Sequence, residues 1–67
     1  MKITHFVKES PAGTYRAELH EGSGHYYIEY YGPAGDKIKT EKFEGRSIKQ
    51  VSDIAESWIN GIQVLNG

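Results

Sequence analysis

Three side chains around one turn have the types that could bind a metal ion. His20 and His25 flank the glycine-containing segment Glu21–Gly24, and Glu18 lies two residues before His20. If the flanking segments pair as strands with His20 opposite His25, their Cβ atoms lie about 5 Å apart. Metal sites in proteins, however, use three or four converging ligands. We therefore interpret the histidines as part of a solvated turn and predict no metal or cofactor site.

The sequence contains no arrangement typical of a catalytic site. Its serines lack an evident base and orienting group, and its glycines fall in turn-like segments, without the spacing of a phosphate-binding loop. The carboxylates are scattered along predicted strand faces, with no apolar pocket to separate their pKa values. His5 is expected to face inward at the edge of the core as a structural histidine. We therefore predict a protein that is not an enzyme.

Length and composition favour one small domain over residues 1–67. The chain has no cysteine, which excludes disulfides and thiolate zinc sites, and a core this small makes oligomerisation a route to further stability. Eight basic residues against nine acidic ones give a formal net charge of −1, which counts against a dedicated nucleic-acid-binding protein. Because no apolar run could span a bilayer or serve as a signal peptide, we expect a cytoplasmic protein without membrane partners.

The clearest structural pattern is a hairpin around residues 21–24. Apolar and polar residues alternate on both sides of this turn, as expected for strands with one buried face. Placing His20 opposite His25 pairs apolar residues on one face. The other face then pairs Arg16 with Glu29, which are oppositely charged. A shift of one residue would mix the two faces, so the pattern predicts this register.

Two further strands flank the hairpin. A first strand over residues 3–8 precedes a Pro-Ala-Gly turn, and a fourth over residues 37–43 follows a second turn of the same composition. In the fourth strand, alternation places Ile38 on the apolar face and Lys39 opposite Glu29.

A C-terminal helix is predicted from a capping box formed by Ser47 and Gln50. Apolar residues then recur with a period near 3.6, giving one wide apolar face with Trp58 at its centre. These positions are Ile48, Val51, Ile54, Ala55, Trp58, Ile59, Ile62 and Leu65. Gly61 has two interpretations. It is either a left-handed C-cap after Asn60 or an internal residue of a helix that continues past it.

The predicted fold class is α+β: an antiparallel meander of three to four strands followed by one helix packed on one sheet face. Sheet and helix each have one apolar face, and packing them together buries both. The predicted inward-facing sheet residues are Ile3, Val7, Tyr15, Ala17, Leu19, Tyr26, Ile28, Tyr30 and Ile38. No second helix is predicted for the opposite face, which is expected to be open.

This open side of the sheet is the predicted interaction surface. Alternation places three aromatic anchors, Tyr27, Tyr31 and Phe43, on it, with Arg16 and Lys39 at its rim. Tyrosine and arginine are enriched in protein interfaces. The first functional hypothesis is therefore a small adaptor or inhibitor that binds a protein partner, or a second copy of itself, through this face.

The same surface supports a second hypothesis, in which a dimer binds single-stranded nucleic acid. Exposed tyrosines could stack on bases while basic side chains contact phosphates. The basic residues concerned are Arg16, Lys37, Lys39 and Lys42. Glutamates on the same face would repel phosphates, which favours the protein partner. A third interpretation is ordinary cross-strand packing on a hydrated face.

Three segments carry a resemblance to known proteins. Lys8–Tyr15, His25–Tyr31 and Ala55–Ile62 are similar to segments of small uncharacterised proteins of T4-like marine cyanophages. The resemblance implies no particular activity, but it implies an infected host cytoplasm as the setting and a host protein as a partner. The order of four strands and one helix also resembles the whirly-like single-stranded-DNA-binding transcriptional coactivators, which act as dimers. This chain lacks their basic N-terminal tail, and the likeness transfers no residues.

Overall fold

The computed structural model describes residues 1–62 as one antiparallel sheet with a helix across one face. The strands are β1 (Lys2–Ser10), β2 (Gly13–Glu21), β3 (Tyr26–Tyr31) and β4 (Lys37–Phe43), and the helix is α1 (Ile48–Asn60). Each strand pairs with the next along the chain, so the sheet is a four-stranded meander. The predicted α+β architecture is confirmed.

The core lies between α1 and the facing side of β2 and β3. Its buried residues are Ala17, Leu19, Ile28, Tyr30, Val51, Ala55 and Ile59. The ring of Tyr30 is buried, and its hydroxyl donates a 2.9 Å hydrogen bond to Glu41 Oε1. This bond provides the buried hydroxyl with a partner and avoids the cost of an unsatisfied polar group.

The helix begins at the predicted capping box. The Gln50 N–H donates to Ser47 Oγ at 3.1 Å, and the Ser47 N–H donates to Gln50 Oε1 at 2.9 Å. The helix ends at Asn60. Gly61 has right-handed dihedral angles, φ −81° and ψ −9°, so it is neither a left-handed cap nor an internal helix residue. The predicted apolar position Leu65 lies outside the described residues.

Trp58 packs at the side of the core and is only partly buried. Its ring meets the ring of Tyr30 edge-on with centroids 4.9 Å apart, and the ring of Tyr15 at 6.3 Å. The helix positions that reach full burial are the smaller Val51 and Ala55. Trp58 therefore packs against the core, and its predicted position at the centre of the helix–sheet contact is wrong.

The two Pro-Ala-Gly turns lie at the same end of the sheet and contact each other. Gly13 closes the first turn opposite Ser10 with a φ of 136°. This angle is favourable for glycine because it has no Cβ. A Cβ at this position would overlap the carbonyl oxygen of Pro33 in the second turn. Gly13 therefore serves both the first turn and its contact with the second.

The β2–β3 hairpin is paired two residues away from the predicted register. His20 lies opposite Tyr27, not His25. The connecting loop consists of residues 22–25, and the Gly22 N–H donates a 2.9 Å hydrogen bond to the His25 carbonyl oxygen. Because side chains alternate with a period of two, this shift leaves every side chain on its predicted face while changing its cross-strand neighbour.

A bulge in β4 changes the faces of its side chains. Tyr31 pairs with Lys37 as predicted, but Tyr30 then pairs with Lys39, so Ile38 is an extra residue. Ile38 is 51% exposed, and its predicted place in the core is wrong. Lys39 places its ammonium 4.8 Å from the ring centroid of Tyr30. The β4 side chains on the helix side of the sheet are Lys39, Glu41 and Phe43.

The inward face of β1 is opposite to the predicted one. Phe6 pairs with Ala17 and packs against the core, so His5 and Val7 lie on the other face of the sheet. Ile3 lies at a shift in the β1–β2 register between Lys2 and Thr4. Ile3 and Val7 are 38% and 50% exposed. The predicted inward placement of these three residues is wrong because the strand buries its one aromatic ring instead.

Candidate functional site

The open face is the side of the sheet opposite α1. Its position follows from the register of the four strands and from helix packing on the other side. Its side chains are Lys2, His5, Val7, Glu9, Thr14, Arg16, Glu18, His20, Tyr27, Glu29, Tyr31, Lys37, Thr40 and Lys42. The name open face is used below for this set.

The predicted site residues divide between the two faces. Arg16, Tyr27 and Tyr31 lie on the open face and come from neighbouring strands β2 and β3. Lys39 and Phe43 do not belong to it, because the β4 bulge rotates both to the helix side, where Phe43 packs against the core. Their predicted place on the interaction surface is therefore wrong, and the aromatic anchors of the open face are reduced to two tyrosines.

Both tyrosines on this face are stacked against a neighbour on β2. The Arg16 guanidinium carbon lies 4.5 Å from the ring centroid of Tyr31. The rings of His20 and Tyr27 are nearly parallel, with an interplanar angle of 4° and a centroid distance of 4.9 Å. These contacts restrict the four side chains and cover one face of each tyrosine ring.

Two glutamates form the centre of the open face. Glu18 and Glu29 are direct partners across β2 and β3, a placement that is unfavourable for like charges. His20 lies between them, with Nε2 3.1 Å from Glu18 Oε1 and 3.0 Å from Glu29 Oε1. The side chains of Glu18, His20 and Glu29 are only 12%, 14% and 18% exposed. The cluster is therefore shielded by its neighbours on the sheet, since no helix within residues 1–62 covers it.

Cations hold the outer oxygens of the same two carboxylates. Lys37 Nζ donates to Glu29 Oε2 at 2.7 Å, and Arg16 Nε lies 2.8 Å from Glu18 Oε2. The Arg16 Nε–H is not aligned for a hydrogen bond, so this contact is an ion pair only. Lys2 Nζ lies 3.9 Å from the same Glu18 oxygen. The other oxygen of each glutamate, Oε1, lies near His20 Nε2, and Glu29 Oε1 also accepts a 3.2 Å hydrogen bond from the Tyr31 hydroxyl.

The protonation of this cluster is biased by its own contacts. The hydrogen bond from Lys37 lowers the pKa of Glu29, with burial opposing it and the bond from Tyr31 adding to it. The same pair raises the pKa of Lys37. Burial and the bond to Glu29 raise the pKa of the Tyr31 hydroxyl. At neutral pH the contacts therefore favour an ionised Glu29 beside a protonated Lys37 and Tyr31.

The predicted grouping of His20 with His25 does not occur. His25 belongs to the loop, where its Nδ1 lies 3.0 Å from the carbonyl oxygen of Ser23. The residue that joins Glu18 and His20 is Glu29. Sequence reasoning missed this cluster because the predicted register paired Glu29 with Arg16. A hairpin register shifted by two residues from the predicted one pairs Glu18 with Glu29.

No family model, curated protein or solved structure matches this chain. Within residues 1–62, no helix has the length and apolar content needed to cross a membrane. The fold and the site define a small α+β domain in which one sheet face lies away from the helix. On that face two tyrosines each stack on a β2 side chain, and a histidine lies between two paired glutamates.

Proposed function

We propose that this protein is a non-catalytic interaction module, an adaptor or inhibitor, that binds a protein partner through the open face. The main observation in its support is the pair of stacks, Arg16 on Tyr31 and His20 on Tyr27, on the side of the sheet that faces away from α1. Tyrosine and arginine dominate the binding energy of many protein interfaces.

The stacks and ion pairs support this proposal because they order the side chains before a partner arrives. Ordering a mobile side chain at an interface costs roughly 0.5–1.5 kcal/mol. Arg16 is held by both Tyr31 and Glu18, so less of this cost remains to be met on binding. Val7, which is half exposed beside Arg16, extends the surface with an apolar contact.

The same geometry gives less support to nucleic-acid binding. Arg16 and Lys37 are paired with glutamates, so phosphates would have to displace carboxylates to reach them. Lys39 lies on the helix side of the sheet. The stacks also leave only one face of each tyrosine ring for a base. A folded protein with charges of both signs is the partner that best matches this surface.

The resemblance to small cyanophage proteins directs the choice of partner source. Under this proposal the protein acts in the cytoplasm of an infected cyanobacterium, and the partner is a host protein or a second copy of the chain. A cyanobacterial lysate is therefore the appropriate mixture in which to test the open face.

Site-specific photo-crosslinking tests the proposal. A photoreactive amino acid would replace Val7 on the open face or, as the matched control, Glu56, which is exposed on α1. We expect a discrete cross-linked product from position 7 and none from position 56. Mixing tagged and untagged copies of the protein would show whether the product is a homodimer. Equal products from both positions, or none from position 7, would overturn the proposal.

A further inference from the structure

The open face also contains three potential metal ligands that converge from two strands. The atoms Glu18 Oε1, His20 Nε2 and Glu29 Oε1 all lie within 4.8 Å of one another, and Nε2 is 3.1 and 3.0 Å from the two oxygens. Ligands at about 2.0–2.2 Å from one Zn²⁺ lie roughly 3 Å apart when their bonds are perpendicular. Each oxygen therefore already lies at ligand spacing from Nε2. The two oxygens are within 4.8 Å of each other, and two ligands of one such ion are at most about 4.4 Å apart, so a small rotation of the carboxylates would complete the site.

From this geometry we infer that Glu18, His20 and Glu29 form a binding site for a first-row divalent metal ion. An imidazole nitrogen carries at most one hydrogen, so Nε2 of His20 cannot donate a full hydrogen bond to both carboxylates. A divalent cation in place of that proton would bind all three atoms at once. It would also offset the repulsion between the directly paired glutamates.

The surrounding cations orient the ligands. Lys37 holds Glu29 Oε2 and Arg16 pairs with Glu18 Oε2, so both Oε1 atoms lie near His20. Glu29 Oε1 also accepts a 3.2 Å hydrogen bond from the Tyr31 hydroxyl. Such outer contacts commonly position metal-ligating carboxylates and histidines. The same positive charges repel a cation, so we expect an affinity weaker than that of a structural zinc site.

The ligand set indicates the class of ion. One imidazole with two carboxylates suits Zn²⁺, Co²⁺ or Mn²⁺, whereas Mg²⁺ and Ca²⁺ favour all-oxygen sites. Three protein ligands leave at least one coordination position for water. The partial exposure of His20 and Glu29 gives the ion a path from solvent.

Two measurements on the full chain test this site. Calorimetric titration with Zn²⁺ should show one saturable site, and excess Mg²⁺ should not compete for it. The variant His20→Gln should bind Zn²⁺ at least about tenfold more weakly. The matched control His25→Gln, which changes a histidine outside the cluster, should bind like the unaltered protein.

Paramagnetic broadening of amide NMR signals by Co²⁺ locates the ion without any substitution. We expect broadening centred on Glu18, His20 and Glu29. If His20→Gln does not fold, Glu29→Gln replaces it, because the amide preserves an acceptor for Lys37. Absence of saturable Zn²⁺ binding would refute the site. Broadening centred on the loop at His25, or an equal loss of binding in His25→Gln, would also refute it.

Discussion

Glu18 and Glu29 lie directly opposite each other on β2 and β3, and each directs one carboxylate oxygen at the same histidine nitrogen. Like charges in this position repel. The pair is accommodated because Arg16 and Lys37 hold the outer oxygens while His20 bridges the inner ones. The order of the open face depends on this balance of charges.

The pH dependence of stability should reflect the lowered pKa of Glu29. Because the folded pKa lies below the ordinary value of 4.5, the unfolded chain binds the proton more readily. The resulting stabilisation is complete above 4.5 and is lost as the pH falls through the folded pKa. Urea denaturation followed by Trp58 fluorescence should show this decline. It should be shallower in Lys37→Met, and an equal decline in both proteins would contradict the role of the Lys37 hydrogen bond.

The alternating pattern predicts that Leu19 and Ile38 both face the core, whereas the β4 bulge leaves Ile38 half exposed. Leu19→Ala removes a fully buried side chain and should lower the free energy of unfolding by about 2–5 kcal/mol. Ile38→Ala truncates the extra residue of the bulge, which is half exposed, and should change it by less than about 0.5 kcal/mol. Chemical denaturation measures both, and a large loss for Ile38→Ala would place that residue in the core.

Gly13→Ala should destabilise the protein more than Gly24→Ala. Both glycines have positive φ, 136° and 76°, and alanine at such angles costs roughly 1–3 kcal/mol. Only at Gly13 would the added Cβ also overlap Pro33, since nothing lies near the corresponding position at Gly24. Thermal denaturation of the two variants should therefore give the lower midpoint for Gly13→Ala. Equal midpoints would show that the two turns do not constrain each other.

A labelled single-stranded oligonucleotide should not bind. Arg16 and Lys37 are held by glutamates, and non-specific binding proteins typically show dissociation constants of about 10⁻⁴–10⁻⁶ M at physiological salt. Fluorescence anisotropy at low salt should stay flat up to tens of micromolar protein, an order-of-magnitude limit taken from that range. Salt-sensitive binding, weakened by Arg16→Ala, would instead favour the nucleic-acid hypothesis.

The architecture could be predicted from the sequence because alternation and helical period report which side chains face the core. The faces of Ala17 and Ile28, and the capping box at Ser47, follow from local pattern alone. The register of the hairpin does not. A shift of two residues satisfies the same alternation, and the choice depends on which residues the loop includes, here 22–25.

The errors in the candidate site follow from this ambiguity and from a bulge. One extra residue, Ile38, reverses the faces of β4 and removes Lys39 and Phe43 from the open face. Bulges of this kind carry no simple sequence signature in a strand of mixed character. The pairing of Glu18 with Glu29 was also not predicted. The predicted register placed Glu29 opposite the oppositely charged Arg16, which is a more favourable pair than two glutamates.

The most direct test of the central claim compares two double variants in affinity capture from a cyanobacterial lysate. Tyr27→Ala with Tyr31→Ala removes both aromatic anchors of the open face, and Lys49→Ala with Glu56→Ala alters exposed positions on α1. Both variants would first be checked for cooperative unfolding. If the open face is the binding surface, the tyrosine variant loses the captured partner, with a drop in affinity of roughly 2 kcal/mol or more, and the helix variant retains it. A partner retained equally by both variants would contradict the claim.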